Sequence, residues 1–381
     1  MGKAEHPPHP PHPRRFEPDW EPPIPGRRRV LHNWDEYMEL AKRIIERFDT
    51  RFDLRHFDYT HPERLQKCAL RFRKPYLVKV AFTDWGDPHK PTVLCCGGVA
   101  NSAMRFNYLA ADLEPYYRVV CMDWVGRGRS GWMADERDYS LATYVEQLRQ
   151  MINHLNCGPV VVLGSSMGGS AAIELAAKYP EMVSALILND IGPFIPKKRR
   201  LRRSQTLARH YVFRDPADLL RKIGASQKND GPISDDIRFN VTFHQTKWSD
   251  EEGGRVYRHD VRALQAYRAD AQESLDQWKL WKRVKCPVLL IHGMLSDALL
   301  EATIKRMREN PRVKVMHVPD TGHTPVLSDR NQNWFILEWL RGSAEALEWT
   351  VLHAKLREPG LDEPRTPLTK TKRKKRVAVP A

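Results

Sequence analysis

Val160-Val161-Val162-Leu163-Gly164-Ser165-Ser166-Met167-Gly168-Gly169-Ser170, followed by Ala171-Ala172-Ile173-Glu174-Leu175-Ala176-Ala177, decides how the rest of the chain is read. The apolar, β-branched run predicts a buried strand, and the alanine- and leucine-rich run predicts a helix. Between them lies G-x-S-x-G. Glycines at its flanks allow a tight strand-to-helix turn in which side chains would collide with neighbouring backbone. Such a turn projects the central hydroxyl, that of Ser166, away from the chain. The helix N-terminus behind it favours developing negative charge. Ser165 and Ser170 do not occupy the central position, so Ser166 is the candidate nucleophile.

A serine hydroxyl reacts only when a base accepts its proton and a third group orients that base. His323, in Val318-Pro319-Asp320-Thr321-Gly322-His323-Thr324-Pro325, lies on a loop between a predicted strand and a predicted helix and is the candidate base. Asp297, in Leu289-Leu290-Ile291-His292-Gly293-Met294-Leu295-Ser296-Asp297, is the preferred orienting acid, because Gly-x-x-Ser-Asp supplies a turn to present it. Asp190, in Leu188-Asn189-Asp190-Ile191-Gly192-Pro193, is the second choice. All of these residues follow predicted strands, at the carboxyl ends where open α/β sheets place their sites. For a tetrahedral oxyanion the expected donors are the backbone amides of Met167 and Gly98, with Val99 as the alternative to Gly98. His292, at a strand end, reads as a structural residue.

Outward from this core the pattern alternates. Strands are expected at residues 76–82, 92–96, 118–123, 160–163, 183–189, 288–292 and 313–318, with amphipathic helices between most of them. Short, continuously apolar strands alternating with helices predict an α/β fold with a mostly parallel, doubly wound sheet covered on both faces. The expected organisation is a Pro/His-rich disordered arm over 1–30 and an N-terminal helical extension over 31–70. A core over 71–191 and 281–345 follows, with an inserted helical cap over 192–280 and a basic, Pro-rich disordered tail over 346–381. The extension carries Trp34, Tyr37, Leu40, Ile44 and Phe48 at helical spacing.

The formal net charge of +15 is concentrated in Arg27-Arg28-Arg29, in Lys197 to Arg203 and in the tail from Lys370 to Arg376. The termini read as solvated arms that could touch a polyanion, a granule or a membrane surface, and the 197–203 run as either a solvated helix face or a preference for anionic substrates. No apolar run is long enough to span a bilayer and no secretory leader is recognisable, so a cytoplasmic location is expected. The six cysteines form no CxxC pair and have no histidine at zinc-ligand spacing, and they read as buried thiols. No metal and no cofactor is expected.

Five landmarks, GVANSAMRFNYLA (98–110), DWVGRGRS (123–130), the GSSMGG elbow, HGMLSD and TGHTPVL, resemble the successive signatures of the α/β-hydrolase superfamily over residues 75–345. The chain order Ser166, Asp297, His323 is the order that resemblance implies. Some members carry the acid where Asp190 lies, and the usual His-Gly of the oxyanion loop is replaced here by Cys96-Gly97. The resemblance implies a serine hydrolase of carboxylic esters, or of a related acyl bond, acting on a small molecule through an acyl-enzyme. Carbon–carbon bond hydrolysis and polyester-oligomer hydrolysis are alternatives on the same triad. A binding protein that uses its basic tails is the alternative from another class. A nucleophilic serine rather than aspartate argues against dehalogenase and epoxide hydrolase chemistry.

Overall fold

In runs such as Thr92–Cys96 and Arg118–Met122 every residue is buried, so the backbone must be satisfied in a ladder and the side chains on both faces. The chain's computed structural model, which describes residues 31, 33–62, 64–66, 71–207, 210–227, 231 and 233–342, resolves this demand in one eight-stranded sheet. Its strands are β1 (Phe52–His61), β2 (Tyr76–Trp85), β3 (Thr92–Cys96), β4 (Arg118–Met122), β5 (Val160–Ser165), β6 (Val183–Asn189), β7 (Val288–Gly293) and β8 (Val313–Val318). They lie in the order β1-β2-β4-β3-β5-β6-β7-β8. Strand β2 is antiparallel to β1 and β4, and every other pairing is parallel.

The central strands alternate their side chains between two cores. Val93 and Cys95, Val119 and Cys121, Val161 and Leu163, and Leu289 and Ile291 enter one. Leu94 and Cys96, Val120 and Met122, Val160 and Val162, and Val288 and Leu290 enter the other. Helices α1 (Trp34–Asp49), α2 (Asn107–Leu113), α3 (Leu141–Leu155) and α4 (Met167–Lys178) precede the cap. Of these, α3 and α4 cover one face, while α2 covers the other. Cys95, Cys96 and Cys121 are free and buried within these layers, Cys286 is half-buried and Cys157 is exposed.

The segment between β6 and β7 holds α5 (Lys197–Leu207), α6 (Pro216–Gln227), α7 (Asp235–Gln245), α8 (Val261–Asp270) and the single turn α9 (Trp278–Trp281). It is not purely helical as expected. Val212–Phe213, Thr246–Ser249 and Gly254–Tyr257 form a small antiparallel sheet, in which the turn at Gly253 needs its φ of 62°. Helices α10 (Glu301–Met307) and α11 (Arg330–Leu340) complete the chain, with α11 beside α2.

The N-terminal extension also departs from expectation. Its helix ends at Asp49, and residues 52–61 form an edge strand. From Phe57 to His61 alternate residues are buried, a period of two that a helix cannot satisfy. Helix α1 packs mainly on the cap: Tyr37, Leu40, Ala41 and Ile44 share a third core with Phe213, Leu219, Ile223 and Phe239. The arm over 1–30 and the tail over 346–381 lie outside the described residues. Among the described residues no helix is long and apolar enough to cross a membrane.

The antiparallel end of the sheet is fastened by a bidentate pair. Arg118 donates Nε to Asp84 Oδ1 at 2.8 Å and Nη2 to Asp84 Oδ2 at 2.7 Å, and both side chains are buried. Removing the carboxylate leaves a buried guanidinium without its main partner. Asp84→Ala is therefore expected to lose roughly 3–5 kcal/mol, read from the urea midpoint.

Acid should act through the cap's imidazoles. Burial, reinforced by Arg129, Arg258 and Arg255, holds His244 down at about 3, and burial with Arg127 holds His259 at about 4. Unfolding exposes both to their ordinary value near 6.5, so below that pH the unfolded chain binds protons that the folded chain refuses. Stability is expected to be retained above about pH 6.5 and to fall between there and pH 4, by up to about 1.4 kcal/mol per pH unit for each imidazole. His244→Phe should flatten that slope in denaturant titrations run at successive pH values.

Candidate active site

The turn between β5 and α4 carries Ser166 at φ 52° and ψ −117°, a conformation that L-residues rarely hold. It is enforced by close approach. A Cβ on Gly164 would lie 2.5 Å from the Cα and N of Gly169, and one on Gly168 would lie 2.5 Å from the Cys96 carbonyl oxygen. Strand and helix can therefore meet at this angle only with glycine on both sides. The Ser166 amide donates to the Asn189 carbonyl at 3.3 Å. Asn189 Nδ2 donates to Ser165 Oγ and to the Pro325 carbonyl, each at 2.9 Å, tying the elbow to the histidine loop.

His323 is brought to the serine as expected: its Nε2 lies 2.9 Å from Ser166 Oγ. Its Nδ1, however, lies 2.8 Å from Asp190 Oδ2, not beside Asp297. Asp190 is fully buried directly after β6, with φ 55°. Its carboxylate accepts two further hydrogen bonds, from the Gly293 amide at 3.0 Å and from Ser296 Oγ at 2.5 Å. The turn at 293–297 thus delivers Ser296 to the acid and points Asp297 elsewhere. The Asp297 side chain is 51% exposed and pairs with Arg199 at 3.3 Å and with Arg202, both on α5. The preference for Asp297 is corrected to Asp190, because the Ser296 neighbour, not Asp297, closes the turn over the buried carboxylate.

The loop after β3 is held by its carbonyls. Trp124 Nε1 donates to Gly97 O at 2.8 Å, and the buried Arg127 donates Nε to Val99 O at 2.9 Å. The sequence reading passed over both donors, which lie in the DWVGRGRS landmark. The Gly98 amide is engaged by Asn101 Oδ1 at 3.2 Å, and no such bond is made by the amides of Val99 or Met167 among the described residues.

These residues open into a cavity of about 460 Å³ between sheet and cap. Its wall includes Ser166, Met167, Val99 and His323, and on the cap side Arg199 and Arg203. Burial holds His323 below its ordinary value; the hydrogen bond to Asp190 opposes this, while the charges of Arg199 and Arg203 add to it. The imidazole is thus kept neutral near pH 7, with one nitrogen toward a carboxylate and the other toward a hydroxyl. That arrangement can take a proton from Ser166 and hold it.

A family model for the alpha/beta hydrolase fold matches residues 91–329. The chain is 32% identical over 267 residues to a protein of Cupriavidus necator named 3-hydroxybutyrate-oligomer hydrolase, covering 67% of this chain and 90% of that relative. Among solved structures it resembles an alpha/beta hydrolase from Novosphingobium aromaticivorans, with TM-score 0.64, 23% identity, and 76% and 98% of the two chains covered. It also resembles a thermophilic esterase from Thermogutta terrifontis, with TM-score 0.56, 21% identity, and 76% and 99% covered. These two structures bear on the fold alone. With the family match spanning most of the sheet and the whole of the cap, the chain belongs to the alpha/beta hydrolase fold family.

Proposed function

We propose that the protein is a serine hydrolase that cleaves carboxylic esters whose acyl or alcohol part carries a free carboxylate, short hydroxyacid oligomers being the best-fitting class. The observation that carries this reading is His323, bridging Asp190 and Ser166 at the floor of a cavity whose cap side holds Arg199 and Arg203. The relative named 3-hydroxybutyrate-oligomer hydrolase supports the substrate class, since every such oligomer ends in a carboxylate.

In the first step Ser166 Oγ attacks the ester carbonyl as His323 Nε2 takes its proton. The carbonyl π pair moves onto oxygen, and the Met167 amide, with that of Gly98 or Val99, receives the oxyanion. Asp190 holds Nδ1–H and stabilises the imidazolium without itself taking the proton. Collapse of the intermediate expels the alcohol, which takes the proton from Nε2. Water then repeats the sequence on the acyl-enzyme, releasing the acid and restoring Ser166. These steps run on side chains and backbone amides of this chain.

Three measurements follow from the roles assigned. Asp190→Asn should lower kcat on a p-nitrophenyl ester by about 10³–10⁴-fold, since the wrong tautomer is then favoured, while Asp297→Asn should stay within a few-fold of wild type. Activity requires neutral His323, so kcat/KM should fall as pH drops through an inflection below 6.5. That inflection should move upward in Arg199→Met, where one depressing charge is removed. Arg199→Met should also raise KM for a 3-hydroxybutyrate dimer about tenfold or more, with little effect on the dimer methyl ester. Equal effects on the acid and its methyl ester would remove the anionic-substrate reading and leave general ester or carbon–carbon hydrolysis.

A further inference from the structure

We propose a zinc-class metal site formed by His292, His317 and Glu301, the first and last of which flank residues 293–300. His292 in β7 and His317 in β8 are register partners on adjacent parallel strands, so their side chains leave the same face of the sheet. Their Nδ1 atoms lie 3.0 Å apart, and His292 Nδ1 lies 3.7 Å from Glu301 Oε1. The potential ligand atoms of all three residues fall within 4.8 Å of one another. Tetrahedral zinc with ligands at about 2.0–2.1 Å needs ligand atoms roughly 3.3 Å apart, a value the two observed separations bracket. Two imidazoles and one carboxylate suit zinc or a neighbouring divalent transition metal rather than magnesium or calcium. The His292 side chain is 5% exposed and that of Glu301 76% exposed, so the site is seated at the sheet and open on its helix side, where water would complete the coordination.

The placement gives such a metal a consequence. His292 and Glu301 bound residues 293–300, the loop whose Gly293 amide and Ser296 hydroxyl hold the Asp190 carboxylate. A shared ion would fasten both ends of that loop to β8, acting as a positioning clip for the acid and taking no part in bond cleavage. Without metal the two imidazoles can satisfy each other only if one donates a single Nδ1 proton to the other, and the metal replaces that proton.

The full-length protein, stripped with chelator, is titrated with Zn²⁺ by calorimetry and by thermal melting, alongside His317→Gln and Glu301→Gln. Wild type should bind one more equivalent than His317→Gln. Its Tm should rise at saturating metal by on the order of 5 °C more than that of the variant. Glu301→Gln alters an exposed side chain outside the core and should weaken the same equivalent at least tenfold, which keeps the test decisive should His317→Gln fold poorly. Amide exchange across 293–300 should slow in wild type at Zn²⁺ concentrations that leave Glu301→Gln unchanged. The same affinity for that equivalent, with the same melting shift and exchange at sub-saturating Zn²⁺, in wild type and Glu301→Gln would overturn the proposal, assigning any bound zinc to other histidines or thiols and the His292–His317 contact to a plain hydrogen bond.

Discussion

The structure depends on one steric constraint: β5 and α4 meet so closely at Gly164, Gly168 and Gly169 that the chain between them must pass through the strained conformation of Ser166. A residue held at such φ and ψ costs of order 1–3 kcal/mol and persists only where its surroundings leave no other choice. Those surroundings are the two sheet cores, which fix β5 between β3 and β6, and Asn189, which links the elbow to the Pro325 carbonyl. Serine, acid and histidine therefore share a common frame of reference, the carboxyl edge of β5, β6 and β8.

On that frame the electrostatics divide cleanly. Asp190 is fully buried, yet its carboxylate receives three hydrogen bonds, from Gly293, Ser296 and His323. That is the condition under which a buried charge is tolerated. His323 lies between this anion and the cationic side of the cavity, and burial decides in favour of the neutral ring. The cap contributes the opposite sign from the floor, since α5 carries six basic and no acidic residues among its eleven, and part of that charge is neutralised by Asp297 and Asp270. Asp297 is thus a partner of the cap helix, and through Arg199 it borders the cavity without reaching the imidazole.

Much of this was legible in the sequence because it is written in local patterns. The elbow is a strand, a glycine-flanked serine and a helix, and the seven expected strands are mostly apolar runs. The acid was not legible in the same way. Asp190 and Asp297 both follow strands, and which of them reaches His323 depends on how the 293–297 turn folds back on β6, a relation between segments about a hundred residues apart in sequence. The isolated signal for Asp190 was its place directly after β6 in an Asn-Asp-Ile-Gly turn, where aspartate tolerates positive φ. The edge strand at 52–61 was hidden because Asp53, Arg55 and Asp58 break its apolar pattern and only Phe57, Tyr59 and His61 mark the buried side. The small cap sheet uses strands of two to four residues, too short for periodicity to register. The His292–His317 pair has no sequence signature at all, being made by strand register.

Ser166 is proposed to be a nucleophile activated by His323. The most direct measurement is labelling of the full-length protein with a fluorophosphonate, followed by intact-mass analysis and peptide mapping, beside Ser166→Ala. A single adduct is expected on Ser166, absent from the variant although the variant melts at a temperature close to wild type. An adduct of equal yield in folded Ser166→Ala, or none on folded wild type, would contradict it.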